Sequence, residues 1–369
     1  MAQFYPLSIA KITEETTDSV SITFDLPKKY EKHFEFVAGQ YITLRANING
    51  KDVRRSYSIC ASPYDGPKKL LRKKHKPVIR VGVKAVENGQ MSQFLVNQVR
   101  EGDVLQVMPP AGRFVLKDNT SNKNQYVFVA AGSGITPVLS QIKTVLFAEK
   151  HARVLLCYGN RSDGNVMFLK ELQDLAQAHS ERFFLYHFYS RNQSQDKLPD
   201  VFYTRIKPSL VYKLAQKHGE GVQATHYFSR GPSALIDETM DYLKGREVPQ
   251  SQLHAEYFTA SSSNQVVEEQ AEEGSSKSGH LKVTFGGLDY DLAIKPGQKI
   301  LDAVLDANID APFSCQSGVC CTCMAKGESG DFDTSDCISL TDQDKSDGMI
   351  LTCVSTLKSD SGTVNFDAV

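Results

Sequence analysis

The sequence predicts three modules in tandem: an antiparallel β-barrel, an α/β nucleotide-binding sheet and a small β-grasp module. Three observations carry that expectation. Residues 1–120 read as short strands broken by turns. Residues 121–258 alternate apolar strands with helices entered through glycine-rich turns. Residues 280–369 give strand, strand, helix and then a cysteine-rich loop, and a Ser/Glu-rich stretch at 259–279 separates them from the rest. A chain of 369 residues is long enough for two or three separate cores.

In the first module the strand-like runs are Ser19–Phe24, Gln40–Leu44, Val78–Val83 and Asp103–Val107. Among them lies Arg54-Arg55-Ser56-Tyr57-Ser58-Ile59. Alternation along a strand puts Arg55 and Tyr57 on one face. There the Tyr57 ring suits a flat partner, the Arg55 guanidinium suits a phosphate, and Ser58 can bond a ring edge. Gly89-Gln90-Met91-Ser92 precedes a helical stretch at Gln93–Val99. A helix entered through glycine and capped by Ser92 offers backbone N–H groups to an anion such as a pyrophosphate. The turn Met108–Phe114 closes the module. The basic run Lys68–Lys76 reads as a solvated loop or a patch for an acidic partner.

The second module opens with strand Tyr126–Ala131, the turn Gly132-Ser133-Gly134-Ile135-Thr136-Pro137 and a helix over Val138–Ala148. Strands Val154–Tyr158, Phe183–Phe188, Tyr227–Ser229 and Leu253–Phe258 and helices Val166–Ala178 and Ser233–Leu243 complete it, with Gly231-Pro232 leading into the last helix. A ligand of such a sheet sits at the carboxyl ends of its strands. There the second strand ends in Asn160-Arg161 and the third in Ser190-Arg191. Guanidinium groups where an acid would bind ribose hydroxyls favour the 2′-phosphate of NADPH over NADH.

The third module has strands Leu281–Phe285 and Tyr290–Ile294 joined at Gly286-Gly287, a helix at Ile300–Ala307 and the loop Cys315–Cys323. Cys315, Cys320 and Cys323 are spaced C-x4-C-x2-C, with Cys353 distant, which is plant-type [2Fe–2S] spacing. Gly318 permits the bend that aims three sulfurs inward. A zinc site or inert thiols are the alternatives, but zinc sites more often show two C-x2-C knuckles. Cys321 and Cys337 read as non-ligands.

Residues 1–258 carry 35 Lys+Arg against 25 Asp+Glu, and residues 259–369 carry 7 against 18. An acidic module tethered to a basic body argues against nucleic acid as the main partner. No run approaches the length of a transmembrane segment, and Met1–Pro6 lacks the pattern of a signal peptide. Six of eight cysteines lie beyond residue 300 at cluster-like spacing, so a reducing, cytoplasmic location is expected.

The Arg55–Cys60, Tyr158–Arg161, Ser190-Arg191 and Cys315–Cys320 motifs resemble those of ferredoxin–NADP reductase-type flavoproteins with a C-terminal plant-type ferredoxin. The reductase components of phenylacetyl-CoA epoxidases are the most similar branch. The resemblance implies that Arg55, Tyr57 and Ser58 contact FAD, with Tyr57 and Ser58 nearest the chemistry. It implies that Gly89, Gln90, Met91 and Ser92 hold the pyrophosphate. Gly132, Ser133, Gly134, Thr136, Pro137, Arg161, Ser190, Arg191, Gly231 and Pro232 would take NADPH, with NADH as the other nucleotide. Cys315, Cys320, Cys323 and Cys353 would hold the [2Fe–2S] cluster. The partner implied is a separate oxygenase; a dioxygenase, desaturase or alkane hydroxylase is the alternative acceptor, and a redox-sensing interaction protein the alternative class. Two departures stand out: Arg230-Gly231-Pro232 replaces the usual Cys-Gly-Pro, and Asp333–Ile338 lacks the pattern expected of epoxidase reductases.

Overall fold

The computed structural model describes residues 3–67, 75–116, 123–191, 198–257 and 279–369. The expected linker and most of the basic run Lys68–Lys76 lie outside the described residues. Those described fall into two compact units, one within Phe4–Phe258 and one within Thr259–Val369.

The first half of the larger unit is a barrel. Its strands are β1 (Tyr5–Thr16), β2 (Ser19–Asp25), β3 (Tyr41–Ile48), β4 (Lys51–Ser58), β5 (Ile79–Lys84) and, after helix α1 (Gln90–Asn97), β6 (Val104–Val107). They pair antiparallel in the order β4-β3-β6-β1-β2-β5, and a bridge between Ile59 and Val81 joins the two end strands. Leu7, Ile9, Ile22, Ile42, Leu44 and Val81 fill the interior. The β3–β4 hairpin turns through Asn49 and Gly50, both at positive φ, as a two-residue hairpin of right-handed twist requires.

The second half is a parallel sheet. In chain order its elements are β7 (Gln125–Ala131), α2 (Ile135–Ala148), β8 (Arg153–Asn160), α3 (Leu169–Ala178), β9 (Phe183–Tyr189), β10 (Val201–Phe202), α4 (Pro208–His218), β11 (Thr225–Gly231), α5 (Ser233–Lys244) and β12 (Leu253–Tyr257). The strand order β10-β9-β8-β7-β11-β12 reverses direction at β7, which places the topological switch beside the Gly132–Gly134 turn. α2 begins three residues before the sequence pattern suggested. Pro137 is tolerated there because first-turn residues need no N–H for the helix. α4 and β10 have no counterpart in the sequence pattern.

The smaller unit is a β-grasp sheet with helix α6 (Ile300–Asp306) packed into its core. Its strands are β13 (Gly279–Phe285), β14 (Leu288–Ile294), β15 (Met324–Ser329), β17 (Met349–Leu351) and β19 (Ser361–Asn365), in the order β14-β13-β19-β15-β17. A side hairpin pairs β16 (Phe332–Asp333) with β18 (Thr356–Leu357), and α7 (Asp342–Ser346) is closed by a Thr341/Asp344 capping box. Gly286 and Gly287 both take positive φ, and their N–H groups donate to the two Asp367 carboxylate oxygens at 2.9 and 2.7 Å. No helix among the described residues is long and apolar enough to cross a membrane.

Candidate cofactor sites and electron path

On β4, Arg55 and Tyr57 share a face as alternation requires, Arg55 exposed and Tyr57 half-buried, while Ser58 is buried opposite Tyr41. Burial holds the Tyr57 hydroxyl well above the usual phenol range despite the Arg55 guanidinium, so it stays a neutral donor. The turn at 109–112 closes over this strand pair. Ala111 bridges Tyr41, and a Cβ on Gly112 would sit 2.9 Å from the Tyr41 ring.

The helix after β5 differs from expectation. Gly89, not Ser92, is the N-cap of α1, and no side chain caps the helix. Ser92 is buried one turn in; its Oγ accepts from Val86 N at 3.1 Å and donates to Gly89 O at 3.2 Å. Those local bonds use up the hydroxyl. Gln90 and Met91 therefore begin a helix whose first-turn amides no cap side chain covers, which fits an anion.

At the switch point, Gly132 and Gly134 are glycine for different reasons. Gly132 takes φ +53 with open space around its Cβ position. Gly134 has an ordinary φ, but a Cβ there would run into the backbone carbonyl of Arg230. Thr136 Oγ1 ties back to Ser133 O at 3.0 Å, and Tyr158 Oη donates to Gly132 O at 3.0 Å. The ends of β8 and β9 meet: Arg191 N donates to Arg161 O at 2.9 Å and Ser190 N to Asn160 O at 3.0 Å. Arg161, Ser190 and Arg191 are exposed on this rim. Asn160 Nδ2 is buried beside them with no hydrogen-bond partner among the described residues. This cradle of two glycines, an unsatisfied amide and two guanidinium groups fits a phosphorylated nucleotide.

Gly231 ends β11, and Pro232 is the N-cap of α5. Arg230 is 4% exposed at the side chain and pairs with Glu256 on β12, Nη1 to Oε2 at 3.0 Å, with the Phe114 ring 5.9 Å from the guanidinium carbon. Burial pulls Arg230 down to about 10 and pushes the Glu256 carboxyl up, each opposed by its partner. Sequence reasoning passes over Glu256; its one signal is a carboxylate in the strand-like run Leu253–Tyr257.

In the smaller unit, the loop from Cys315 to Cys323 bends through three left-handed residues, Gln316, Gly318 and Cys321. A Cβ on Gly318 would stand 2.5 Å from Asp336 O. Thr352 holds the distant segment against the loop, N and Oγ1 both donating to Cys323 O at 3.3 and 2.9 Å. Cys315 interacts side chain to side chain with Cys320 and Cys353, which pulls its thiol down, and Cys353 is pushed up by Cys315 and Cys323. Among the described residues no three ligand-type side chains group as a single ion requires. Cys315 adjoins Cys320 and Cys353, and Cys353 adjoins Cys323; four neighbouring thiols are a donor set that fits a two-iron cluster. Cys321 Sγ points to Ser339 O at 3.8 Å, and Cys337 is buried against Ser355 Oγ at 3.3 Å.

Comparison with known proteins agrees with this division. Residues 6–116 match an oxidoreductase FAD-binding domain, 128–240 an oxidoreductase NAD-binding domain, and 283–358 a 2Fe-2S iron-sulfur cluster binding domain. The chain is 31% identical over its full length to a subunit of the 1,2-phenylacetyl-CoA epoxidase of Escherichia coli (strain K12), covering 99% of that subunit. The chain belongs to the ferredoxin–NADP reductase-type flavoproteins that carry a plant-type ferredoxin. The reductase is also 30% identical to the ferredoxin reductase component of 3-ketosteroid-9-alpha-monooxygenase from Rhodococcus rhodochrous, over 94% of this chain and 92% of that one. Two solved structures share its fold. Phthalate dioxygenase reductase has a TM-score of 0.59 at 24% identity and 98% coverage of both chains. An intact type IV self-sufficient cytochrome P450 monooxygenase has a TM-score of 0.67 at 23% identity; the match covers 98% of this chain and 41% of that one. The reductase is an NAD(P)H-dependent electron-transfer oxidoreductase using FAD and a [2Fe–2S] cluster.

Proposed function

We propose that the reductase draws electrons from NADPH and delivers them singly to a separate oxygenase, of the phenylacetyl-CoA epoxidase kind. When bound, NADPH would supply a hydride, FAD would take up the electron pair, and a [2Fe–2S] cluster would carry electrons singly. In this reading Tyr57 stacks on the flavin ring, Ser58 orients it, Arg55 meets phosphate, and the α1 amides from Gly89 to Ser92 hold the pyrophosphate. Gly132 to Pro137 let the nucleotide approach the backbone, beside Gly231 and Pro232. Cys315, Cys320, Cys323 and Cys353 hold the cluster. Module bounds near residues 120, 258 and 280 follow from the same reading. Six of the eight cysteines lie beyond residue 300 at cluster-like spacing, which suits a reducing compartment such as the cytoplasm.

The observation that carries the NADPH preference is the joined rim of Arg161 and Arg191. Replacing both by alanine removes two charge-assisted contacts worth roughly 1.5–3 kcal/mol each. The Michaelis constant for NADPH should rise by about 100-fold or more, and that for NADH by about threefold at most. An equal rise for both nucleotides would refute the 2′-phosphate assignment. The acceptor is tested by supplying the reductase and NADPH to a purified phenylacetyl-CoA epoxidase oxygenase. Epoxide formation supports it, and none, with cytochrome c reduction intact, points to another oxygenase.

A further inference from the structure

We propose that Glu171 is a positioning residue for hydride transfer, fastening the nucleotide sheet to barrel strand β5, whose Arg80 meets Cys60 just beyond the strand that carries Tyr57 and Ser58. The inference rests on the reading that Gly132–Pro137 and Arg55–Ser58 hold the two cofactors.

Glu171 lies in the first turn of α3, and both its oxygens are used, one across the seam and one by a lysine that itself crosses it. Oε2 accepts from Arg80 Nη2 on β5 at 2.6 Å, and Oε1 accepts from Lys143 Nζ on α2 at 2.8 Å. Each cation then reaches further. Arg80 Nε meets Cys60 Sγ at 3.2 Å, and Cys60 N donates to Arg80 O at 2.8 Å, two residues beyond Ser58. Lys143 Nζ also meets Asp65 Oδ2 at 2.5 Å, and its helix is the one that grows out of the glycine turn. One carboxylate thus ties β5, and through Arg80 the segment that follows the strand of the candidate flavin site, to the helix of the candidate nucleotide site.

The surrounding contacts make the tie directional. Phe168, just before α3, holds a left-handed conformation at φ +59, which costs a non-glycine residue energy. It is kept there by its N–H, which donates to Glu15 Oε2 at 3.1 Å, and by Arg80, whose guanidinium lies 5.3 Å from its ring centre. On β5, a Cβ on Gly82 would stand 2.6 Å from Thr136 Cγ2, so the barrel packs directly on the nucleotide turn. The hydrogen-bonded charges of this seam are 15–28% exposed and fix its register by direction as well as by contact. Hydride transfer is steep in this coordinate, since about 1 Å of misplacement costs about 10²-fold in rate.

The test is the anaerobic reduction of the FAD-loaded full chain by saturating NADPH, comparing Glu171→Gln with the parent. The limiting reduction rate should fall about 10- to 100-fold while the NADPH concentration at half-rate changes less than about twofold. In the cofactor-free chain, amides of residues 60–66 and 136–144 should exchange hydrogen faster. An unchanged limiting rate in a less stable protein would overturn the proposal, because a merely structural tie would act on stability alone. Should Glu171→Gln fail to fold, Lys143→Gln leaves the Arg80 arm in place. It should lose about tenfold in limiting rate, and no loss would again overturn the idea. Failure of the underlying reading looks different: half-saturation by NADPH would not respond to Arg161 and Arg191, while the exchange coupling across the seam would persist.

Discussion

The Arg230–Glu256 pair yields the sharpest stability test. Arg230→Met leaves a buried carboxylate without its cation, and Glu256→Gln leaves a buried guanidinium without its anion. Breaking a buried pair from either side costs about 3–5 kcal/mol. Arg230 itself shows how poorly the pair offsets desolvation. Its displacement from 12.5 to about 10 is, at about 1.4 kcal/mol per pH unit, roughly 3 kcal/mol against the charged form. The double variant removes both charges, so it should lie within about 1 kcal/mol of the parent or be more stable. The coupling energy from the four proteins should therefore reach about 5 kcal/mol or more in magnitude. pH adds a second handle. Burial raises the Glu256 carboxyl in the folded state, so its contribution is complete below the unfolded carboxylate range and is lost as pH rises through the folded value. Without Arg230 that folded value climbs further, and Arg230→Met should lose more stability near pH 8 than near pH 5. Urea denaturation followed by circular dichroism measures both effects. Additive single variants, or an Arg230→Met penalty that does not grow with pH, would refute the reasoning.

Two further substitutions test the glycine geometry. Gly134→Ala drives a methyl into the Arg230 carbonyl, so it should cost about 1–3 kcal/mol and slow flavin reduction by NADPH while leaving cluster absorbance intact. Gly318→Ala meets both φ +73 and Asp336 O; the visible cluster bands should be lost while far-ultraviolet dichroism of the β-grasp sheet is kept.

Much of the architecture is legible because period-two and period-3.6 patterns, glycine turns and cysteine spacing are local signals. The strands around Tyr57, the turn at Gly132 and the helix at Ile300 stand close to where the pattern puts them. What escapes depends on residues far apart in the chain. α4 begins at a proline and has a mixed exposed face that reads as loop, and β10 is two residues long. The cap of α1 is ambiguous in the sequence because Gly89 and Ser92 are both acceptable N-caps by type, and only the buried bonds from Ser92 to Val86 and Gly89 decide between them. Arg230 reads as a departure from a motif; that it faces Glu256 follows from the pairing of β11 with β12, which sequence distance hides. The Glu171 seam joins residues 60, 65, 80, 143 and 171, with no local signature at all.

The placement of β19 bears on how the protein is made. It lies between β13 and β15 in the middle of the β-grasp sheet, although it is the last strand of that unit to be synthesised. At about 5–20 residues per second, the 42 positions from Cys323 to Asn365 take about 2–8 s to translate. During that interval the barrel and the nucleotide sheet have everything they need to fold, whereas the cysteine loop has no finished sheet behind it. The sheet behind the cysteine loop therefore cannot close until Asn365 has been added. Ribosomes that stop early would release a chain able to close its larger unit but not the smaller one.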